Sequence, residues 1–268
     1  MEFEGQKNIV NYINNITLDD FPHSLILIGE RGGGKHFLCN KLASILNIPL
    51  IDITDNISLD NIMEMYRKPS PYIYLVDINN VSEKEQNALL KILEEPYNNT
   101  YLVLLSTNSS YIIPTIKNRC TLINLEKYSD EELSKFIFPE NLEDKDLILS
   151  LANTPGQVIE ISSTAKHILE LSIKIVDKIG VASFPNTLTL SDKLSFKNEK
   201  GLLNPEYVLK AMSSYLVDKI LTSTNELIYV KMIKEVSKCI KDINTPKINR
   251  RHIFENFLTI LWKISRGE

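Results

Sequence analysis

Four of the nine glycines in this 268-residue chain fall at positions 29, 32, 33 and 34, in the run Gly29-Glu30-Arg31-Gly32-Gly33-Gly34-Lys35. The run follows the nearly continuous apolar stretch Ser24-Leu25-Ile26-Leu27-Ile28 and opens a helical pattern from Lys35 to Leu46. A glycine loop between a strand and a helix lets backbone N–H groups converge on phosphate, and the helix N-terminus adds partial positive charge. Gly29, Gly32, Gly33, Gly34 and Lys35 are therefore candidate phosphate-binding residues. The position after the lysine calls for a hydroxyl to bind Mg²⁺, and His36 stands there. Imidazole is a poor ligand for a hard ion that prefers oxygen, so the loop is degenerate: it can cradle phosphate without positioning the metal.

The first half of the chain alternates short β-rich runs with helical patterns, which predicts a parallel sheet with crossover helices. Further strands are expected at 49–53, at 72–76 leading into Asp77, at 101–106 and at 120–125, with a short helix at 58–68. Ser82 with Glu85 forms a capping box that opens a helix running to Glu95, and Pro96 stops it. Asp77 is a candidate for holding Mg²⁺ through water, and equally a strand-end turn carboxylate. The residue after it, where an ATPase needs a carboxylate to activate water, is Ile78; an aliphatic side chain accepts no proton.

Ser129 with Glu132 makes a second capping box, and strand signals stop there. Residues 127–163 form a short helical unit broken at Thr154-Pro155-Gly156, followed by periodic segments near 165–179, 205–222, 225–242 and 249–265. Asn204-Pro205 marks a helix start. Residues 181–203 read as irregular or as one short helix.

Charge is uneven. Residues 1–163 hold 13 Lys+Arg against 23 Asp+Glu, and residues 164–268 hold 17 against 11. The acidic portion cannot attract DNA in bulk, because duplex binding rests on phosphate neutralisation. Cys39, Cys120 and Cys239 are widely spaced, which argues against a disulfide framework or a Cys-rich zinc site; no metal site is expected. No apolar run reaches membrane-spanning length, and the acidic start lacks signal-peptide features, so a cytoplasmic chain without membrane contact is expected.

The segments Asn87-Ala88-Leu89-Leu90-Lys91-Ile92-Leu93-Glu94-Glu95-Pro96 and Pro114-Thr115-Ile116-Lys117-Asn118-Arg119-Cys120 resemble two stretches of bacterial clamp-loader AAA+ subunits. Thr154-Pro155-Gly156 resembles the turn in their lid, and residues 249–255 the last helix of their collar. The resemblance implies an α/β AAA+ P-loop domain with a parallel sheet over 1–126, a helical lid over 127–163 and an all-helical collar over 164–268. It implies a hetero-pentamer with other clamp-loader subunits, acting on a sliding clamp and primer-template DNA. It also implies that Arg119 serves as an arginine finger reaching ATP on a neighbour. Gln157 replaces the family's phosphate-sensing arginine, and its four-cysteine zinc module is absent.

His36, Ile78 and Gln157 each remove one part of the hydrolytic apparatus. Within the resembled family they point to the delta-prime kind, a stator that needs no cofactor and whose loop holds at most weak ATP, ADP or another anion. The alternatives are an active gamma-type motor subunit and an AAA+ adaptor such as a helicase loader.

Overall fold

The computed structural model describes residues 5–54, 58, 71–96, 100–195, 204–223, 225–243 and 249–268. The helix expected at 58–68 lies outside the described residues, apart from Ser58. Two compact units emerge: Met1–Ile137 with Ala152–Ile159, and Phe138–Leu151 with Glu160–Glu268.

The first unit is built on five parallel strands in the order β2-β3-β4-β1-β5: β1 (Ser24–Ile28), β2 (Leu50–Asp52), β3 (Tyr72–Asp77), β4 (Thr100–Ser106) and β5 (Thr121–Asn124). The central strands β1 and β4 are buried throughout, which is why they read as unbroken apolar runs. Successive side chains point to opposite faces. Leu25 and Leu27 thus pack with Ile9 and Ile13 of α1 (Lys7–Asn15) and with Leu38 and Leu42 of α2 (Lys35–Leu46). Ile26 and Ile28 pack with Leu89 and Ile92 of α3 (Glu83–Glu94) and with Ile116 of the short helix α4 (Pro114–Lys117). The capping boxes at Ser82 and Ser129 are both formed, the latter at the start of α5 (Asp130–Ser134).

Helix α1 has no counterpart in the sequence reading. Before it, buried Gln6 adopts φ 52° and ties to the segment after β5: Glu126 N–H donates to Gln6 Oε1 at 2.7 Å, and Gln6 Nε2 donates back to the Glu126 carbonyl.

The second unit is helical throughout its described residues. After α6 (Lys145–Leu151) and the end of α7 (Pro155–Ile161) come α8 (Ala165–Val181), α9 (Phe184–Ser195), α10 (Pro205–Thr222), α11 (Glu226–Ile243) and α12 (Arg250–Ser265). The region read as irregular or one short helix thus contains α9. Its core joins Ile168, Ile175, Met212, Leu216, Val236, Phe254 and Leu258. Buried Ser172 fixes α8 against α10 by donating to the Val208 carbonyl at 2.9 Å. Trp262 Nε1 anchors α12 on the Ala182 carbonyl at 3.0 Å, and its ring meets Phe184 edge-on at 5.3 Å. This α/β architecture, a parallel sheet with a helical C-terminal part, is the one expected from the sequence.

Candidate functional site

Strand β1 runs straight into the glycine loop, whose first residue is fastened to the sheet: Gly29 N–H donates to the Ser106 carbonyl at 3.0 Å. Gly32 and Gly34 sit at φ 80° and 88°, left-handed conformations that residues with a Cβ avoid. Gly34 then caps α2.

Five successive carbonyls of the loop are engaged by donors of the same chain. Lys35 Nζ donates to Gly29 O at 2.6 Å and to Glu30 O at 3.0 Å, and Gly33 N–H shares Glu30 O at 3.1 Å. Arg31 O accepts from Thr154 Oγ1 at 2.8 Å and Gln157 Nε2 at 3.5 Å. Gly32 O accepts from Gly156 N–H at 3.0 Å, and Gly33 O from the Tyr128 hydroxyl at 2.9 Å. With all five oxygens bonded, the loop backbone is held in place by its own lysine, the 154–157 turn and Tyr128. Burial pushes the Lys35 ammonium below its ordinary range, and nearby Asp77 opposes that shift most strongly. Burial also pushes the Tyr128 hydroxyl and the fully enclosed Cys39 thiol up to about 12.

The Thr154-Pro155-Gly156 turn meets the loop backbone to backbone: a Cβ on Gly156 would stand 2.6 Å from Gly32 Cα. Gln157 completes the turn by accepting from Asn153 N–H at 2.8 Å. Sequence reading singled out the turn and Gln157 without placing them on the glycine loop, and it missed Tyr128 altogether.

The metal side of the site is built differently. His36 Nδ1 lies 3.4 Å from Asp52 Oδ2, both side chains about half exposed. Asp77 Oδ1 accepts from Asn79 N–H at 2.9 Å and so caps the turn after β3. Ile78 is fully buried beside Leu89 and Ile92. The residues present fit a phosphate group and do not fit a hydrated Mg²⁺. Among the described residues, no group of three or more His, Cys, Asp or Glu side chains could hold a metal ion.

Arg119 is not brought to the loop. Ser24 Oγ donates to its carbonyl at 2.7 Å, at the start of β1, whereas the loop begins after that strand's end. The intervening length of strand is roughly 16 Å at about 3.3 Å per residue. Its guanidinium pairs with Glu94 at 2.6 Å and donates to the Thr115 carbonyl at 2.9 Å.

Residues 57–129 match the protein family described as DNA polymerase III, delta subunit. The DNA polymerase III subunit gamma of Buchnera aphidicola subsp. Baizongia pistaciae is 26% identical, over 97% of this chain and 74% of that protein. The delta-prime subunit of the same organism is also 26% identical, over 56% of this chain and 44% of its own length. The solved structure of a gamma-subunit-related protein of Thermotoga maritima shares the fold, with TM-score 0.52 at 15% identity over 98% of this chain and all of that one. The matched family and the two relatives all point the same way: over these stretches the chain is similar to clamp-loader subunits of bacterial DNA polymerase III.

Proposed function

We propose that the chain is the stator of a sliding-clamp loader, of the delta-prime kind: it hydrolyses no ATP and lends Arg119 to nucleotide held by a neighbouring subunit. The observation that carries this reading is the end of β3. The Asp77 carboxylate is engaged in capping its own turn, and the next residue is a fully buried isoleucine. No group there takes a proton from water, and His36 offers imidazole where a hydroxyl would hold Mg²⁺. Gln157, turned onto the loop carbonyl of Arg31, supplies no charge to a phosphate.

In this reading the partners are the other subunits of a hetero-pentamer, the sliding clamp and primer-template DNA in the cytoplasm. Residues 127–163 act as the lid and 164–268 as the collar. An anion such as ATP, ADP or sulfate binds, if weakly, on the backbone N–H groups of Gly32 to Lys35. A gamma-type motor is the second reading, favoured by the gamma-named relative that spans nearly the whole chain. Steady-state ATPase assay of the pure protein separates the two. The stator shows only background, whereas Mg²⁺-dependent turnover of about 1 s⁻¹ or more, the low end for ordinary enzymes, establishes the motor.

A further inference from the structure

Glu94 is the last residue of α3, where a carboxylate faces the partial negative charge of the helix C-terminus and gains nothing for helix stability. What it does instead is hold Arg119. Its Oε1 lies 2.6 Å from Arg119 Nη2, while Nη1 of the same guanidinium donates to the Thr115 carbonyl at 2.9 Å. The backbone beneath is fixed as well: Leu89 and Ile92 of α3 pack in one cluster with Ile116, and Ser24 Oγ holds the Arg119 carbonyl. Both terminal nitrogens, the two prongs a guanidinium uses to grip phosphate oxygens, are thus engaged by the arginine's own domain.

We propose that Glu94 parks Arg119, keeping the fork on its own domain until phosphate on a neighbouring subunit displaces the carboxylate. The inference rests on the finger reading given above and adds the residue that gates it. Arg119 is 36% exposed and Glu94 50%, so the pair is open to solvent and weakly held. A polyphosphate carries more charge than one carboxylate and outcompetes it, whereas a buried pair would not exchange. Glu94 is a positioning residue, acting only through Arg119.

The test compares clamp loaders reconstituted with the native chain, Glu94→Gln, Arg119→Ala and the double variant, assembly being checked by gel filtration. Glu94→Gln is expected to raise DNA-stimulated ATP hydrolysis about two- to fivefold, the range open to a half-exposed ion pair. The double variant is expected to match Arg119→Ala alone. A Glu94→Gln rate at or below native, with Arg119→Ala slowed, overturns the parking and leaves the finger intact. A gain that persists in the double variant also overturns it, because the effect then bypasses Arg119. Arg119→Ala equal to native overturns the finger and the parking together. Should Glu94→Gln fail to assemble, Glu94→Asp, which keeps the charge but draws it back, is expected between native and about fivefold. A Glu94→Asp rate at or below native likewise overturns the proposal.

Discussion

At Gly32 and Gly156 two backbones touch, and neither position has room for a side chain. Gly32 adds a left-handed φ of 80°, while a Cβ on Gly156 would meet Gly32 Cα at 2.6 Å. Gly156→Ala is therefore expected to cost about 1–3 kcal/mol, as overpacking does, read as a lowered urea midpoint at unchanged slope. A neutral Gly156→Ala would mean that the turn moves freely off the loop. The thiols carry a second prediction. Burial raises Cys39 and Cys239 to about 12, so near pH 8 both stay protonated and unreactive in the native state. A thiol reagent should label them only on unfolding; rapid native labelling of either would contradict the burial.

At the scale of elements, the capping boxes tie stability to pH. Hydrogen bonds from the Ser82 hydroxyl and backbone hold the Glu85 carboxyl below the usual carboxylate range. A depressed acid contributes stability above its unfolded pKa of about 4.3 and loses it as pH falls through the folded value. Ser82→Ala should cost about 1 kcal/mol at pH 7. Below the lowered folded value of Glu85 it should cost distinctly less, because the carboxyl is then protonated in both forms; an equal loss on both sides of that titration would assign the effect to the hydroxyl alone. These boxes were legible because their residues lie three apart; the apolar strands were legible too, as were the helices near 165–179, 205–222, 225–242 and 249–265. Helix α1 was not read, because its cap is a left-handed glutamine with no side-chain cap, although Ile9 and Ile13 carried the four-residue spacing. The bonds from Tyr128 and Thr154 to the glycine loop span 95 and 123 residues, and no local period announces a contact at that range.

On the scale of the whole molecule, the net charge of −4 divides into an acidic first portion and a basic second one. The first lacks the bulk positive field of a duplex-binding protein, and among the described residues no helix is long and apolar enough to cross a membrane. The fold follows from the sheet order, and the sequence likenesses make the chain similar to clamp-loader subunits. The proposed division of labour between Arg119 and the glycine loop was legible only as a motif with replaced residues. Of the replaced residues Ile78 fills the core, while the retained Asp77 caps a turn and Arg119 lies at the opposite end of β1 from the loop. An arginine finger in trans is commonly worth about 10³–10⁵ in rate, and other sites in a pentamer keep their own, so its removal should produce a partial loss. The most direct measurement is DNA-stimulated ATP hydrolysis by complexes containing the native chain, Arg119→Ala or Lys35→Ala, with equal assembly verified by gel filtration. The stator account predicts a clear fall with Arg119→Ala and none with Lys35→Ala. A fall with Lys35→Ala and a native rate with Arg119→Ala would make this chain a motor and contradict the account.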